Sequence, residues 1–445
     1  MFHLLPEHSN PRKNCVKIDI YPKEKVKGFS LYQEGKMVSD FTEGNCINID
    51  KNGSYRAKIK THTNTDMTID FTISFLSSRC LFDGGDGSPE HPYLISSIEQ
   101  LNAIRINLSA HYKLMADIDL SQWGMAWVPI GSYVLKHGEV VDGSKAFTGT
   151  LDGNNHMLCN LTCQTAGLTA EKSIYPFKKK QDESGLFGCC VNATVRNIFL
   201  KDCYIVGNYG AGSFTGAHSD CLFENCHASG KIYAKAYAAG ISSFGNRSRF
   251  YQCSYQGVIH CDSFGAGITI DADILQNCEA NIFISCENPC GICTRTVSEV
   301  KNCIVRGVFE GLSLMSGISS IWGTHTKISG CICALERILL LECDDFITEY
   351  PRFSAIDNYK CDENTLEQTE HKNNFHIEAM TFDGIKYWKD DPELDGTVIT
   401  KVQLHSQKFF ENLSWRFDEN TWEMSPDGPH LRFANIGRIR HFIDQ

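Results

Sequence analysis

Apolar or small residues occupy every second position in a series of short segments in the middle of the chain, as in FENCHASGKI (223–232) and VKNCIVRGVF (300–309). An alternation with a period of two predicts a β-strand with one buried face. Each segment carries a cysteine, and these cysteines follow one another at intervals of 27, 25, 25 and 28 residues: Cys226, Cys253, Cys278, Cys303 and Cys331.

The step that leads into each strand breaks this alternation. An apolar residue stands three places before every cysteine of the series, so the two buried positions are out of phase and the chain needs a bend or bulge between them. The position just before the cysteine holds an amide or a glycine: Asn225, Gln252, Asn277, Asn302 and Gly330. We expect the amides to lie at the bend and to hydrogen bond from one coil to the next.

A series of glycines runs through the same part of the chain at intervals of 27, 28, 27, 24 and 26 residues: Gly185, Gly212, Gly240, Gly267, Gly291 and Gly317. Two series with a common period in the mid-twenties, and no helical pattern between them, indicate stacked coils of short strands. We therefore predict an all-β chain built on a right-handed parallel β-helix, a solenoid in which like residues of successive coils lie above one another.

Changes in pattern divide the chain into four parts. Residues 13–80 contain short alternating runs split by turn signals, which predicts a small immunoglobulin-like β-sandwich. Residues 84–340 hold the β-helix and its entry segment. Residues 341–380 lose the repeat and are expected to be an irregular insertion, and residues 381–445 are expected to be a small C-terminal cap that closes the other end.

Two short helices are expected near the ends of the solenoid. In SSIEQLNAI (96–104), Ser96 or Ser97 can cap the first helical turn, and this helix would cover the open end of the coils. HSQKFFENL (405–413) predicts a helix in the closing part.

The segments SGLFGCCVNATVRNI, FENCHASGKI and VKNCIVRGVF resemble GLUG repeats. DGSPEHPYLISSIEQLNAI and FTGTLDGNNHMLCNL resemble the segment that precedes such repeats, and KFFENLSWRFDENTWEMSPDGPHLRF resembles their closing segment. The likeness covers roughly residues 84–340 and 395–435 and implies a parallel β-helix. GLUG repeats occur in bacterial surface proteins, in phage-related proteins and in the non-catalytic region of IgA-peptidase-like proteins, so the resemblance implies a fold more than an activity.

Composition and charge narrow the classes of function. A formal charge of −11 over 445 residues argues against a nonspecific nucleic-acid binder, which needs clustered Lys and Arg. No run of about 18 apolar residues occurs, and the start MFHLLPEHSNPRKNC lacks a signal-peptide core. We expect no membrane insertion, and a location in the cytoplasm or a virion, or at the cell surface only by an atypical route. The 21 cysteines fall mostly at repeat positions, which predicts small, buried, reduced side chains.

Three aspartates are candidate catalytic residues. In ITIDADIL, Asp271 and Asp273 lie two residues apart, and a strand places such residues on one face. Paired carboxylates on a β-helix face serve as acid and base in many polysaccharide-cleaving enzymes, and Asp262 on the preceding coil could join them. The alternative is a polar strand edge without catalysis.

Three aromatic residues are candidate ligand-binding residues. Tyr209, Tyr237 and Phe264 each stand three places before a glycine of the series, so stacked coils would place them in a line. An outward line offers flat apolar faces that can receive sugar rings, whereas an inward line is core packing.

No metal site and no cofactor are expected. Cys290 and Cys293 form a CxxC pair, but a zinc ribbon needs a second pair and a thioredoxin site needs a βαβ context, and neither is present. The sequence also lacks HExxH, GxSxG and Walker motifs.

These features together favour a non-catalytic binding or adhesion protein that recognises a cell-surface glycan or protein. A polysaccharide-active enzyme that uses Asp271 and Asp273 is one alternative, and a phage virion tail or spike protein is another. Assembly into an oligomer or a virion stays open at this point.

Overall fold

The structure, a computed structural model, describes residues 3–6, 16–21, 25–49, 51–63, 65–73, 81–132, 134–136, 139–142, 145–164, 183–320, 326–341, 353–357, 370–387 and 394–432. Parts of the expected insertion (342–352 and 358–369) and of the expected closing part (388–393 and 433–445) therefore lie outside the described residues. None of the helices in the described ranges is long and apolar enough to cross a membrane.

The N-terminal residues form two antiparallel sheets. Their strands are β1 His3–Pro6, β2 Val16–Tyr21, β3 Val26–Gln33, β4 Lys36–Glu43, β5 Cys46–Ile49, β6 Gly53–Thr61 and β7 Asp66–Ile73. One sheet has the order β1-β2-β5 and the other the order β4-β3-β6-β7. Every second residue of β6 is buried, including Tyr55, Ala57 and Ile59, as the alternating pattern requires. Two antiparallel sheets thus lie where the small β-sandwich was expected, and β1 adds a strand ahead of residue 13.

The entry segment joins the solenoid through a short helix and a set of small strands. The helix α1, Ile98–Asn102, begins at Ser97, whose side chain accepts a hydrogen bond from the backbone N–H of Gln100. Ile98 and Leu101 are buried in the main core. The strands of this part are β8 Tyr93–Ile95, β9 His111–Leu114, β10 Ile118–Asp119, β11 Val134–Lys136, β12 Glu139–Asp142, β13 Thr150–Cys159 and β14 Thr162–Gln164.

The coils that follow are made of parallel strands. Those strands are β15 Phe187–Val191, β16 Thr194–Gly207, β17 Gly210–Gly212, β18 Thr215–Ser219, β19 Leu222–Ala234, β20 Tyr237–Ala239, β21 Ser242–Asn246, β22 Arg249–Tyr251, β23 Ser254–Cys261, β24 Phe264–Ala266, β25 Thr269–Gln276, β26 Glu279–Ser285, β27 Asn288–Cys290, β28 Cys293–Lys301, β29 Ile304–Gly311, β30 Met315–Ser316, β31 Lys327–Ser329, β32 Ile332–Leu340 and β33 Phe353–Ser354. Each coil pairs with the next, as β19 does with β23, β23 with β26 and β26 with β29. The short strands β17, β20, β24, β27, β30 and β33 form a separate parallel sheet. The all-β class and the parallel β-helix are confirmed.

The predicted cysteine column lies in the core of the solenoid, and all five of its members have no exposed surface: Cys226, Cys253, Cys278, Cys303 and Cys331. The Sγ of Cys253 donates to the carbonyl oxygen of Phe223 on the preceding coil at 3.5 Å, and the Sγ of Cys278 donates to that of Phe250 at 3.6 Å. All of these thiols are free rather than disulfide-bonded. Burial raises the pKa of the Cys253 and Cys303 thiols, which keeps them protonated.

The glycine column holds in strict register over four coils. A Cβ atom on Gly267 would lie 2.0 Å from the carbonyl oxygen of Gly291, and one on Gly291 would lie 1.8 Å from that of Gly317. Glycine is therefore required because the coils approach too closely for any side chain. Gly212 departs from the predicted column, since it pairs with Ala239 and not with Gly240.

The bend before each cysteine is also present. The residue there adopts the left-handed conformation in every coil, with φ of 52° at Asn225, 54° at Gln252, 54° at Asn277 and 52° at Asn302. Asparagine tolerates this conformation better than most other residues with a side chain. The predicted bond between coils is made at one step, where Nδ2 of Asn225 donates to Oδ1 of Asn197 at 3.1 Å.

The expectation of an irregular insertion over 341–380 needs correction, because the described part of this segment adds coil strands. The strands of this region are β34 Glu370–Lys372, β35 Phe375–Ile377, β36 Thr381–Phe382, β37 Ile385–Lys386 and β38 Thr397–Ile399. β33 extends the separate sheet, because it pairs in parallel with β30. β34 pairs in parallel with β31, and β35 pairs in parallel with β32. Asn374 takes the place of the column cysteine and accepts a hydrogen bond from the backbone N–H of Cys331 at 3.0 Å. The long interval between Cys331 and Asn374 hides this coil in the sequence.

After β38 the chain turns back along the flank of the solenoid. We name residues 400–432 the strap; its elements are α2 Lys401–Leu404, α3 Gln407–Asn412, β39 Trp422–Ser425 and β40 Gly428–Leu431. The helix predicted at 405–413 is confirmed as α3, which Ser406 caps by accepting from the N–H of Phe409. Strap side chains form a second apolar cluster with Ile304, Ile332 and Ala334 on the flank of the coils.

Candidate functional site

The predicted aromatic line lies beside the separate sheet of short strands. Tyr237 of β20 and Phe264 of β24 are in register, and their rings stack with centroids 6.0 Å apart and planes 16° apart. Tyr209 is one residue out of this register, because Gly210 is the residue that pairs with Tyr237. Its ring still contacts Tyr237, edge-on, at 5.2 Å and 74°.

A fourth ring, missed in the sequence, completes the group. Phe244 of β21 lies 5.5 Å from the Tyr237 ring and 6.1 Å from the Tyr209 ring. Phe244 lies on β21, whereas Tyr237 and Phe264 lie on strands of the separate sheet and Tyr209 directly precedes one of those strands. Phe244 is therefore not part of the regular spacing that identified the other three rings. We name Tyr209, Tyr237, Phe244 and Phe264 the aromatic platform.

The platform lies outside the main core. Tyr237, Phe244 and Phe264 are partly buried and pack on a separate small cluster of Ala239, Ala266 and Ile270. Each of the four rings keeps part of its surface exposed. Burial, together with the neighbouring Tyr237 hydroxyl, raises the pKa of Tyr209 to about 12, so the Tyr209 hydroxyl stays neutral. The platform is thus a partly exposed apolar surface that packs on a floor of Ala239, Ala266 and Ile270.

An ion pair borders the platform. Asp271 directly follows Ile270 of the floor, and its carboxylate pairs with Arg295 and accepts a hydrogen bond from the N–H of Gly245 at 3.1 Å. The Asp271 side chain is 5% exposed and that of Arg295 is 45% exposed. Burial raises the pKa of Asp271, and the charge of Arg295 opposes that shift. The guanidinium is therefore the solvent-exposed part of the pair.

The other candidate carboxylates have separate surroundings. Asp273 accepts a hydrogen bond from the Ser298 hydroxyl at 2.5 Å. Asp262 is exposed at the corner before β24, and partial burial raises its pKa while His260 and Lys235 oppose the shift. Among the described contacts, no hydrogen bond joins Asp262, Asp271 and Asp273 to one another. Asp271 and Asp273, the predicted acid and base, are therefore not hydrogen-bonded to each other among the described contacts. Asp271 is the more buried of the two, and its carboxylate pairs with Arg295.

The CxxC cysteines are engaged with the backbone. The Sγ of Cys290 donates to the carbonyl oxygen of Cys293 at 3.1 Å, and the Sγ of Cys293 donates to that of Arg295 at 3.1 Å. Burial raises the pKa of Cys290 to about 12. Within the described ranges, no group of three or more His, Cys, Asp or Glu side chains is placed to hold a metal ion.

A groove of about 630 Å³, not foreseen in the sequence, lies between the outer face of the β3-β6-β7 sheet and Gly124 of the entry segment. Several of its polar side chains are paired with one another. Arg56 binds Asp70 through two hydrogen bonds of 2.6 and 2.8 Å, and Nζ of Lys58 lies 4.8 Å from the centroid of the Tyr32 ring.

Comparisons with known proteins find likeness over parts of the chain, and no family model matches it. A stretch of 168 residues, 35% of this chain, is 30% identical to Halomucin of Haloquadratum walsbyi and covers 2% of that protein. A stretch of 146 residues, 31% of this chain, is 31% identical to a protein of Evansella cellulosilytica whose name is that of a candidate Gly-rich membrane protein, and it covers 14% of that protein. The chain thus spans a small fraction of both relatives.

Two solved structures are similar in outline. A candidate immunoglobulin A1 protease of Bacteroides ovatus has a TM-score of 0.49 at 16% identity, with 79% of this chain and 95% of that chain covered. An IgA1 protease has a TM-score of 0.48 at 14% identity, with 84% of this chain and 27% of that chain covered.

Proposed function

We propose that the chain is a non-catalytic binding module of a surface protein and that its aromatic platform binds a cell-surface glycan. The observation that carries the proposal is the cluster of four contacting rings, Tyr209, Tyr237, Phe244 and Phe264, which lies outside the main core and stays partly exposed. Single exposed apolar residues are ordinary on a protein surface, whereas a contiguous exposed apolar patch often marks a binding site.

The surface has the chemistry that sugar rings need. Stacked aromatic faces offer flat apolar area to the C–H faces of a sugar, and tyrosine hydroxyls add hydrogen bonds at the rim. The exposed guanidinium of Arg295 adds donors beside the rings. The floor of Ala239 and Ala266 is fixed by strand pairing, so little conformational entropy is lost when a ligand binds.

The names of the two relatives support a surface setting, since one is Halomucin and the other carries the name of a membrane protein. The likeness of the coils to GLUG repeats supports the same setting, and their assignment to that type is part of this proposal. The polysaccharide-cleaving alternative has less support, because Asp271 is bound by Arg295 and is largely buried.

A glycan array probed with the full chain tests the proposal. We expect binding to a subset of glycans, and a loss of affinity of about tenfold or more in Tyr237→Ala and in Phe264→Ala, because each change removes about one stacking contact. Tyr204→Ala is the matched control, since Tyr204 is an exposed aromatic residue outside the platform. The proposal fails if the wild-type chain binds no glycan, or if Tyr204→Ala loses as much affinity as the platform variants.

A further inference from the structure

The strap is attached to the flank of the solenoid at four successive coils. Its Trp422 and Trp415 donate from Nε1 to Oδ1 of Asn277 at 3.3 Å and to the carbonyl oxygen of Gly330 at 3.0 Å. Two corner amides donate to the strap in return: Gln252 to Oγ1 of Thr421 at 3.1 Å and Asn302 to the carbonyl oxygen of Ser414 at 3.3 Å. The corner residues that the repeat would otherwise stack on one another are used to hold this segment.

An apolar stripe lies under the strap. Ile304 and Ile332 have no exposed surface and Ala334 is 5% exposed, although they form a cluster separate from the main core. The strap residues that cover them are Phe410, Trp415, Trp422 and Leu431. Without the strap this part of the coils would present a hydrophobic patch to solvent.

A buried carboxylate connects the strap to the flank of the solenoid. Glu279 of β26 accepts hydrogen bonds from Nη1 of Arg306 at 2.8 Å and from the N–H of Leu431 at 2.8 Å, and its Oε1 lies 2.5 Å from Nδ1 of His430. Only Arg306 among these partners belongs to the coils. Glu279 therefore bonds to the hairpin of β39 and β40 from the solenoid side.

The charges around Glu279 are few and mostly enclosed. Arg306 also donates from Nη2 to the carbonyl oxygen of Pro429 at 2.6 Å, and its buried Nε has no hydrogen-bond partner. Nε2 of His430 lies 3.1 Å from Oδ1 of Asp427. On the coil side His227 adds no charge near neutrality, because burial lowers its pKa to about 3.

The outer rim of the hairpin carries the remaining charges. Glu423 is directly opposite His430 in the β39–β40 pairing. Nε of Arg432 lies 3.4 Å from Oε2 of Glu423. The side chains of Arg432 and Glu423 are 44% and 21% exposed, so this pair is more accessible to solvent than Glu279, whose side chain is 6% exposed.

We propose that the strap is a pH-sensitive latch, in which protonation of Glu279 releases residues 400–432 from the flank and exposes the apolar stripe. Loss of the buried negative charge leaves the cations of Arg306 and His430 facing each other, and only the largely exposed carboxylate of Asp427, beside His430, still offsets them. Breaking one side of a buried ion network destabilises strongly because the other charges remain desolvated.

The ionisation states near neutrality favour a closed strap. Burial alone would raise the pKa of Glu279, but the charges of His430 and Arg306 hold it below its ordinary value. Burial alone would lower the pKa of His430, but Glu279 raises it above its ordinary value. The latch is therefore closed at neutral pH and opens as the pH falls through the lowered pKa of Glu279. Loss of the His430 proton at higher pH weakens the latch less, because Arg306 still pairs with Glu279.

Hydrogen exchange of the full chain, with each rate divided by that of an unstructured peptide at the same pH, tests the latch. In the wild type we expect protection of residues 421–432 to fall steeply below about pH 4.5, by up to about tenfold per pH unit, while β23 and β26 stay protected. In Glu279→Gln the strap should already be open near pH 6. It should close as the pH rises and His430 loses its proton, so the transition keeps its direction but lies at a higher pH than in the wild type.

Glu411→Gln is the matched control, since Glu411 is an exposed carboxylate within the strap itself. It should behave as the wild type. The latch is refuted if residues 421–432 and β26 lose protection together, which would be global acid unfolding, or if Glu279→Gln shows the same pH profile as the wild type.

Discussion

Cysteine suits the central column because of its size and its sulfur. A column residue lies directly above its counterparts in the neighbouring coils, so the side chain must be small and apolar enough to fill a narrow axis. The Sγ of Cys226 also reaches the carbonyl oxygen of Val195 on the preceding coil at 3.2 Å. This role was visible in the sequence as a strict spacing, because each column position repeats the same surroundings.

The column thiols should resist alkylation in the native chain. They are fully buried, and burial raises the pKa of Cys253 and Cys303, so little thiolate forms near neutral pH. Among the described cysteines only Cys46 and Cys159 are partly exposed, and these two should react first. Mass-spectrometric mapping after brief treatment with iodoacetamide checks this, with a denatured sample as the control for complete labelling. Early modification of Cys253 or Cys303 would contradict the column.

Gly291→Ala should destabilise the solenoid by about 1–3 kcal/mol or prevent folding, because the new methyl group would lie 1.8 Å from the Gly317 carbonyl oxygen. Gly84→Ala is a suitable control, since the nearest atom to its new methyl group is the mobile Cδ1 of Leu94 at 3.2 Å. Urea unfolding followed by circular dichroism measures both. If the two variants unfolded at the same urea concentration, the coils would not approach each other as closely as described.

At the scale of the element, the sequence predicts those strands, bends and helices that repeat along the chain or that are determined by residues close to them in sequence. The coil strands, the bend before each cysteine, the cap at Ser97 and the helix within 405–413 are local patterns, and each is found where the pattern places it. The ring of Phe244 and the position of the strap depend on contacts between distant segments, which no local spacing encodes. The last coil was missed because insertions interrupt its period and Asn374 replaces the cysteine.

The left-handed bend predicts a specific order of stability at position 225. Asn225→Gly and Asn225→Ala lose the same side-chain bonds, to Asn197 and to His227 at 2.8 Å, so the difference between them isolates the backbone. Alanine should be less stable than glycine by about 1–2 kcal/mol, because φ of 52° brings its Cβ too close to the following carbonyl oxygen. Urea unfolding of the two variants provides the comparison. An alanine variant as stable as the glycine variant would rule out a left-handed bend at this position.

At the scale of the whole molecule, the strap changes how the coils depend on one another. Each coil of a solenoid contacts only its neighbours, so stability is close to a sum of local terms. The strap binds Gln252, Asn277, Asn302 and Gly330, which lie on four successive coils, and so links parts that do not touch directly. We infer that the coils from 252 to 330 unfold more cooperatively with the strap attached than they would without it.

The buried side chain of His218 makes the stability of the fold depend on pH. His218 has no exposed surface, and its ring nitrogens lie 2.7 Å from Oγ of Ser248 and 3.3 Å from Oγ1 of Thr269. Burial lowers the pKa of His218 to about 3, below its ordinary value of 6.5. Between these two values the unfolded chain binds a proton that the folded chain does not, so the free energy of unfolding falls as the pH falls. The slope contributed by His218 is at most about 1.4 kcal/mol per pH unit.

His218→Gln should flatten that slope, because glutamine can hydrogen bond with the same hydroxyls but does not take up a proton. Unfolding free energies from urea titrations between pH 7 and about pH 5 measure it, a range that stays above the release of the strap. His62→Gln is the control, since His62 is exposed on the N-terminal module, and its slope should match that of the wild type. If His218→Gln kept the full slope, His218 would have to be accessible to protons in the folded chain, and the interior of the coils would not be sealed from water.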